Sequence, residues 1–410
     1  MEGNLNSHDM VRLQRIKENG LCIECGLCDA NNKVECYFDE KFANDKVSHA
    51  KRVHDAISEP TNNNIKEVTN ASDVFVVSIS NEGRRLKSSS GGALTHIAEA
   101  LHERNLVDFS IMVGISSQGF PEYRVTDSID VNLDTKSKYY PVNIGSVIQN
   151  LESNKTYLLI ALPCHVAMIR NLQAKGELKN IKYVFSLFCG HLKTRDYSDY
   201  LTKKLSVGKQ NNQYLDFRWK VKGRNASKYG TAIVTKEKNE AVYMMNEKIP
   251  GVNWGIGFFK YNGCDFCNDV TGYYADLSVG DAWMTPYVAN YLGSSIVVSR
   301  SLELTEILKH EISANRLIGS AVNSISIFES QEGGFRNKSS GFLMRMAKNK
   351  FYNQTSNIKY KEYYRLRYVI RNKLSRIDKI YKLTRSAFLF DLAAKITVKI
   401  YGLICRMDNK

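Results

Sequence analysis

Residues 157–188 decide the class of fold, and they read YLLIALPCHVAMIRNLQAKGELKNIKYVFSLF. Residues 157–162 and 183–188 are short apolar runs rich in aromatic and branched side chains, which is typical of buried strands. The residues between them have the apolar spacing of a helix at about 166–172. A strand, a helix and a second strand in this order predict parallel neighbours in an α/β sheet.

The same alternation continues on both sides of this stretch. Strands are predicted at 74–79 and 111–115, helices at about 91–104, 144–151 and 302–312, and a meander of short strands at 215–221, 231–235 and 241–245. Residues 331–341 contain three glycines and are predicted to be a linker. The fold class expected from these patterns is an α/β (α+β) core with a mixed sheet.

Composition is that of a globular protein, with 43% hydrophobic and 24% charged residues in 410. The first thirty residues contain no apolar run of the kind found in signal peptides, so a reducing cytoplasm is the expected location. The nine cysteines are then expected to be metal ligands or redox groups rather than disulfides. Charged residues interrupt the most apolar stretch near the C-terminus, so no segment is predicted to span a bilayer.

Four cysteines near the N-terminus have the spacing of an iron–sulfur ligand set. Cys22, Cys25 and Cys28 follow at three-residue steps, and Cys36 comes after seven intervening residues. Three closely spaced thiolates can surround one face of a cubane cluster while a distant fourth binds the last iron. A structural zinc site is the alternative, although such sites usually pair two CxxC turns. The pattern favours a 4Fe-4S cluster, in which Cys36 is the ligand with unusual spacing. The surrounding segment is too polar to form its own core, so a metal centre is expected to hold it.

Four further cysteines form a second candidate set, Cys164, Cys189, Cys264 and Cys267. The first two follow the two strands quoted above, so both are expected at the carboxyl-terminal edge of the sheet, where α/β proteins bind ligands. Each of them alone would be typical of a small buried hydrophobic residue. Together with the CxxC pair they predict a second cluster, and Cys405 is left over.

These motifs together resemble the beta subunits of coenzyme F-420-reducing hydrogenases and dehydrogenases, with relatives in chlorophyll-pigment reduction and polysaccharide gene clusters. The resemblance covers roughly residues 15–300. It is carried, in chain order, by the cysteine loop at 22–36, Ser90-Gly91-Gly92 with Thr95, Ser137-Lys138-Tyr139, Pro163-Cys164, Cys189-Gly190, Phe217-Arg218, Cys264-x2-Cys267-Asn268-Asp269, and Ala275-Asp276 leading to Gly280-Asp281-Ala282-Trp283.

The resemblance implies an α/β flavoprotein that holds FAD beside a 4Fe-4S cluster, with a second cluster in a ferredoxin-like N-terminal segment. Transferred by position, the ligands of the core cluster are Cys164, Cys189, Cys264 and Cys267. The sequence departs from the family where His165 replaces a frequent Gln, and where Cys189-Gly190-His191 replaces Cys-His-Gly. Ala161-Leu162 also replaces a glycine-containing element. These positions lie near the expected pocket and affect the identity of the substrate more than cluster binding.

A serine-glycine segment, SSSGG at 88–92, precedes one of the predicted helices. Free N–H groups at the positive end of a helix suit a pyrophosphate. The candidate FAD-binding residues are therefore Ser90, Gly91, Gly92 and Thr95, with Lys138 as a charge and Tyr139 as a stacking face. The alternatives are an ordinary Gly-Ser turn and a solvated lysine beside a half-buried tyrosine.

His165 and His191 are candidate proton donors, because a histidine beside a flavin can titrate near neutral pH. A hydrogen-bonded structural histidine is the alternative. Flavins exchange hydrides with substrates and single electrons with clusters. The predicted function is electron transfer between a one-electron donor such as ferredoxin, two 4Fe-4S clusters, FAD and an organic substrate, either F-420-like or a sugar or polysaccharide precursor. The alternative is a non-catalytic iron–sulfur subunit without FAD that transfers electrons or acts as a scaffold in a larger complex.

The basic charge of the chain is concentrated at its C-terminal end. Residues 343–410 hold 17 Lys and Arg against 4 Asp and Glu, whereas residues 1–342 hold 40 against 38. Between 360 and 390, apolar residues recur at helical spacing with Lys and Arg between them, which predicts a basic amphipathic helix; they are Tyr363, Leu366, Ile370, Leu374, Ile377, Tyr381 and Phe388. Such a helix can pack on the body, lie on the anionic inner face of a membrane, or dock to an acidic partner such as a ferredoxin or a glycosyltransferase. No nucleic-acid-binding module accompanies the charge.

Three domains are expected from these patterns. They are a ferredoxin-like cluster segment at 1–50, a flavin and iron–sulfur core at 51–330, and a basic helical tail at 343–410. The expected partners are a ferredoxin-type electron donor or partner subunit, and a small-molecule substrate.

Overall fold

The computed structural model describes residues 7–30, 36–205, 213–235, 241–349, 351–352 and 365–408. The helices are α1 (Ser7–Glu18), α2 (Leu27–Ala30), α3 (Ala43–Ser58), α4 (Asn62–Thr69), α5 (Glu82–Leu86), α6 (Ala93–Glu103), α7 (Gly145–Ile148), α8 (Pro163–Ala174), α9 (Arg195–Leu205), α10 (Leu302–Ser313), α11 (Ile325–Lys338), α12 (Ser340–Lys348), α13 (Leu366–Leu374), α14 (Asp378–Thr384) and α15 (Ala387–Met407). The strands are β1 (Asp73–Ile79), β2 (Phe109–Ile115), β3 (Pro121–Thr126), β4 (Tyr157–Ala161), β5 (Ile181–Leu187), β6 (Gln213–Trp219), β7 (Gly230–Thr235), β8 (Ala241–Met245), β9 (Leu277–Asp281), β10 (Ser295–Ser299) and β11 (Leu317–Ala321).

Eight strands form one mixed sheet in the order β11-β1-β10-β9-β5-β4-β2-β3. The central strands β9, β5, β4 and β2 run parallel to one another, and the flanking pairs are antiparallel. Alternate residues of β1 enter different cores, with Phe75 and Val77 on one face and Val74 and Val76 on the other. The sheet is therefore covered on both faces, which confirms the predicted mixed α/β core.

The predicted meander is a separate antiparallel sheet, in the order β6-β7-β8. Phe217 of β6 is buried in a core cluster that also contains Tyr197 and Tyr200 of α9 and Phe390 of α15. The small sheet and the C-terminal helices thus share one apolar core.

The N-terminal segment packs into the core of the main sheet. Ile16, Leu21 and Leu27 are at most 2% exposed and lie in the cluster that contains Ile111 and Val166. The backbone N–H of Ile144 donates to the carbonyl of Cys25 at 3.0 Å. Apolar contacts with the body therefore bury this segment, and the expectation that a metal centre also holds it stays a prediction.

The predicted linker at 331–341 is helical. Helix α11 continues to Lys338 with a kink at Gln331, and α12 begins at Ser340. Phe335 and Phe342 on these helices are buried. Burial of these aromatic side chains therefore outweighs the low helix propensity of the three glycines.

The single basic helix predicted between 360 and 390 is divided into α13 and α14, and α15 follows. Its first residue in the pattern, Tyr363, lies outside the described residues. Tyr381 and Phe390 are fully buried against the body, in contact with Tyr200. The described part of the tail therefore packs on the body, which was the first of the three alternatives expected for the basic helix. None of the described helices is long and apolar enough to cross a bilayer.

Candidate functional site

Two cysteines lie where neighbouring parallel strands end. Strands β4 and β5 are parallel and end at Ala161 and Leu187. Cys164 follows in the first turn of α8, and the N–H of Cys189 donates to the carbonyl of Val270 at 2.9 Å. The predicted position of both cysteines at the carboxyl-terminal edge of the sheet is confirmed.

The CxxC pair joins these two cysteines. Cys264 lies in a single 3-10 turn at Asn262–Phe266, and Cys267 follows it. The thiol of Cys164 is buried, which raises its pKa, and the thiols of Cys267, Cys189 and Cys264 raise it further. The N–H of Leu192 donates to Sγ of Cys264 at 3.3 Å. The structure thus brings the four cysteines of the second set together.

The first set is also assembled. Burial raises the pKa of Cys25 to about 12, and the neighbouring thiols of Cys28 and Cys22 contribute. Burial likewise raises the pKa of Cys36 to about 12, with contributions from Cys25 and Cys28. Cys36 therefore lies near the thiols of Cys25 and Cys28 despite its unusual spacing.

The two thiol sets adjoin each other. The thiol of Cys25 contributes to the raised pKa of Cys164, and both of these thiols also act on buried Tyr123. Lys46 lies near both sets. Burial lowers its pKa to about 8, and the thiols of Cys267 in the second set and Cys36 in the first set oppose that shift.

Buried positive charge surrounds the second set. Nζ of Lys338 donates to Sγ of Cys267 at 3.3 Å, and although burial disfavours its charge, the thiols of Cys267 and Cys189 raise its pKa. A four-thiolate iron–sulfur cluster is anionic, and nearby charges tune its potential. Grouped thiols beside Lys46 and Lys338 therefore fit such a cluster. Among the described residues, no group of three or more His, Cys, Asp or Glu side chains has the geometry of a single-ion site.

A cavity of about 640 Å³ lies against the second thiol set, with Cys189 in its wall. This volume is in the range of cofactor pockets. The cavity collects most of the site residues predicted from the sequence: Ser90, Gly92, Thr95, Lys138, Tyr139, His165 and His191. Gly91 lies behind the wall, where a Cβ atom would be 2.5 Å from the carbonyl oxygen of Val77 and 2.6 Å from the nitrogen of Ser295.

Several buried polar atoms of the cavity have no hydrogen-bond partner among the described residues. They are Nζ of Lys138, both ring nitrogens of His165, Nε2 of His191 and Nε1 of Trp283. Buried polar groups are almost always paired, so these atoms indicate a polar ligand. The cavity therefore fits a large cofactor with hydrogen-bonding groups, such as FAD.

The two histidines are neutral in this environment. Burial lowers the pKa of His165 to about 4, and burial together with Lys193 lowers the pKa of His191 well below its usual value. The expectation that they titrate near neutral pH is wrong, because desolvation disfavours the imidazolium form.

The N-terminus of α6 opens into the cavity. Gly92 is its N-cap with φ +81°, no side chain caps the first turn, and residues 92–95 line the cavity. The serine hydroxyls instead hold the preceding loop, since Ser90 Oγ donates to the carbonyl of Ser294 at 2.6 Å and Ser89 Oγ accepts from Ser137 N at 2.6 Å. Thr95 Oγ1 donates to the carbonyl of Gly92 at 3.2 Å. Backbone N–H groups are therefore the donors available to a phosphate here.

Several residues of the wall were not among the site residues expected from the sequence. Arg218 lies over the rings of Tyr229 and Trp283, at 4.2 and 5.5 Å, and pairs with both carboxylate oxygens of Asp281. Residues 217–218 and 280–283 belong to the motifs that carry the family resemblance. Those motifs were the sequence signal that could have identified these wall residues. Other wall residues carried no signal; they are Trp254, Arg371, Tyr401 and Cys405.

The mixed sheet, the two thiol sets and the cavity at the carboxyl-terminal edge define an α/β protein of the oxidoreductase type. Models of the N-terminal and C-terminal parts of the coenzyme F-420 hydrogenase/dehydrogenase beta subunit match residues 74–149 and 154–324. The chain belongs to this family.

Fourteen chains of solved structures match this chain. One of them is in the F-420-reducing nickel–iron hydrogenase complex from Methanosarcina barkeri, studied by xenon derivatization. It is 12% identical in sequence, the match covers 71% of this chain and 97% of that chain, and the TM-score is 0.49. Comparison with curated proteins gave no match.

Proposed function

We propose that this protein is an iron–sulfur flavoprotein oxidoreductase. Electrons pass from a one-electron donor such as ferredoxin through two 4Fe-4S clusters to FAD and then to an organic substrate. The observation that carries this proposal is the spatial order of the first thiol set, the second thiol set and the cavity, since Cys25 and Cys164 pack against the same core cluster and Cys189 lies in the cavity wall.

The proposed ligands follow that order. The first cluster is bound by Cys22, Cys25, Cys28 and Cys36, and the second by Cys164, Cys189, Cys264 and Cys267. The candidates for binding FAD are Ser90, Gly91, Gly92, Thr95, Lys138 and Tyr139, with Gly91 acting through the shape of the loop. When bound, FAD exchanges two electrons with an organic molecule and single electrons with clusters.

His165 and His191 are proposed to act on the substrate through their unpartnered ring nitrogens. Reduction of an organic substrate takes two electrons, delivered one at a time by two donor molecules, and two protons. A neutral imidazole can donate one N–H hydrogen bond and accept another, so each ring can orient a substrate oxygen and relay a proton from water to it, taking up one proton at its accepting nitrogen as it releases the other.

The cavity wall favours an anionic substrate. Its lysines Lys138 and Lys193 have no carboxylate partner among the described residues, whereas Arg336 pairs with Glu332, Arg371 pairs with Asp265, and the carboxylates of the wall, Asp134 and Asp281, pair with Arg124 and Arg218. A deazaflavin of the F-420 type and a phosphorylated sugar or polysaccharide precursor both satisfy this requirement. We place the reaction in the cytoplasm, with a ferredoxin-type protein or a partner subunit as the donor.

Anaerobic reconstitution of the full chain tests this assignment. The expected protein is brown and contains about eight iron, about eight sulfide and about one FAD. Cys28→Ala and Cys264→Ala should each lose about four iron while retaining the other cluster, and the matched control Cys405→Ala should lose none.

Two results would contradict the proposal. A colourless protein that binds zinc would reject the clusters. Full iron and sulfide content without stoichiometric FAD, at FAD concentrations that saturate flavoproteins, would reject the enzyme and favour a non-catalytic electron-transfer subunit.

A further inference from the structure

Helix α15 carries a row of exposed apolar side chains along one face. The seven residues recur at three- and four-residue steps beyond the first pair, so they form a continuous stripe. The stripe consists of Phe388 (77% exposed), Leu389 (45%), Leu392 (58%), Ile396 (57%), Ile400 (44%), Leu403 (60%) and Met407 (66%). Leu383, just before the helix, is 84% exposed. Apolar groups of this extent on a protein surface usually mark an interaction site.

The opposite face of the same helix is fixed to the body. Phe390 and Ala394 are fully buried, and the ring of Phe390 lies 5.0 Å from that of Tyr200 and 4.9 Å from that of Phe259. The outward direction of the stripe is therefore set by the core, and the stripe has no partner among the described residues.

Positive charge borders the stripe. Lys395, Lys399 and Arg406 are exposed along one side of it. The only acidic residue within α15, all of which is described, is Asp391, which is buried and accepts from Tyr200 Oη at 2.5 Å and from Lys204. On the preceding helical segment, further cations are exposed; they are Lys373, Arg376, Lys379 and Lys382.

An anionic membrane surface is the occupant that fits both features. A helix of 21 residues with an apolar face and a basic flank can lie in the plane of the headgroups, with its apolar side chains about 5–10 Å deep and its cations at the lipid phosphates. A second copy packed on the same stripe in antiparallel fashion would bring the basic flanks of two helices near each other without a counter charge.

We propose that the outer face of α15 is a surface that binds anionic membranes with the helix parallel to the bilayer. This surface shares only Phe388 with the apolar residues that sequence periodicity indicated, and Tyr381 of that pattern is buried. It does not depend on the clusters or on FAD. Because Tyr401 and Cys405 on the inner side of α15 line the cavity, binding would place the cavity about one helix diameter, roughly 10 Å, from the lipid headgroups.

Vesicle flotation with the full-length, cofactor-loaded protein tests the proposal. The protein should float with vesicles of phosphatidylcholine mixed with phosphatidylglycerol. Leu392→Asp with Ile396→Asp should weaken this binding at least about tenfold. The matched control is Leu302→Asp with Ile318→Asp, which changes two apolar residues on other elements that are at least as exposed, and it should leave binding unchanged.

The charge requirement is tested separately. Lys395→Gln with Lys399→Gln should weaken binding to the anionic vesicles about tenfold, whereas Lys182→Gln with Lys309→Gln should not. Thermal unfolding and flavin content of each variant show whether the body is intact. Because these assays do not use enzyme activity, they can fail while the proposed function holds, and the reverse is also true.

Three outcomes would overturn the proposal. They are failure to float with anionic vesicles, equal binding to pure phosphatidylcholine, and a protein dimer in analytical ultracentrifugation that the Leu392 and Ile396 substitutions dissociate. The last result would assign the stripe to a second copy of the chain.

Discussion

Lys138 is the residue whose charge should make cofactor binding depend on pH. Burial lowers its pKa to about 7, Asp134 and Asp216 favour its charge, and Arg124 and Lys136 oppose it. A bound pyrophosphate would raise this pKa, so above pH 7 binding must take up a proton. We expect the Kd for FAD to rise about fivefold from pH 7 to pH 8, and Lys138→Gln to abolish that rise. Flavin fluorescence titrations measure it.

Lys193 is a second cavity lysine, and its contribution to the pH dependence of FAD binding can be distinguished from that of Lys138. Burial also lowers the pKa of Lys193 to about 7, but its Nζ donates to the carbonyl of Phe258 at 2.7 Å and so is already engaged. Lys309→Gln, on the surface, is the neutral control. If Lys138→Gln kept the pH dependence of the parent protein, another group would have to contact the phosphates.

The cysteines could be identified from sequence because thiol ligands are few and their spacing is chemically specific. The placement of Cys164 and Cys189 at strand ends is confirmed, and their role as ligands stays a prediction. The environment of the histidines could not be identified in this way. The ring of His191 lies 4.5 Å from that of Trp254, and burial by such distant residues determines the pKa.

At the scale of elements, the loop before α6 is held against strand backbones. A Cβ on Gly91 would meet the carbonyl of Val77 and the nitrogen of Ser295, and neither backbone group can move without disturbing β1 or β10. Gly91→Ala should lower the free energy of unfolding by about 1–3 kcal/mol. Thermal unfolding at equal cofactor loading measures this.

Gly402, on an exposed face of α15, is the matched control for Gly91. Gly402 in α15 has open space around its Cβ position, so Gly402→Ala should raise stability by about 0.5–1 kcal/mol through helix propensity. Equal effects of the two substitutions would show that the contact behind Gly91 is not tight.

An ion pair between buried Arg218 and partly buried Asp281 links the small sheet to the main sheet. Arg218 on β6 is 4% exposed and donates to Asp281 on β9 at 2.7 and 2.9 Å, and it also donates to the carbonyl of Ser89 at 3.2 Å. Asp281→Asn would leave the guanidinium buried without a full counter charge. It should cost about 3–5 kcal/mol of stability.

A double-mutant cycle with Arg218→Met isolates the pair. Because the double variant contains no buried charge, it should be less destabilised than the sum of the single variants. If the stability losses of the two single variants were additive, solvent or another side chain would already compensate the charge of Arg218.

The elements that local patterns missed are those whose position depends on distant pairing. Strands β9, β10 and β11 have five residues each, and β9 is central only because it pairs with β5 and β10. The continuous apolar runs of β4 and β5 were strong enough to be predicted. The glycines of α11 led to the prediction of a linker where the structure has a helix, because a linker and a glycine-rich buried helix have the same composition.

At the scale of the whole molecule, both ends of the chain complete the site. The N-terminal segment contributes Cys25 next to Cys164, and the tail contributes Arg371 and Tyr401 to the cavity wall. These ends were expected to be separate domains because their composition differs from that of the core. The shared packing of Leu21 with Val166, and of Phe390 with Tyr200, involves contacts that composition does not record.

This arrangement leads to a prediction about the direction of electron flow. If electrons from ferredoxin enter at the first cluster, Cys28→Ala should reduce ferredoxin-driven FAD reduction at least about tenfold, while photochemical reduction of FAD in the same protein proceeds normally. Cys264→Ala should stop the ferredoxin-driven reaction as well, because the second set lies between the first set and the cavity. Stopped-flow flavin absorbance measures both variants, with the surface variant Lys309→Gln as the control. Unchanged reduction in Cys28→Ala would mean that the donor docks closer to the second cluster, and the first thiol set would then need another role.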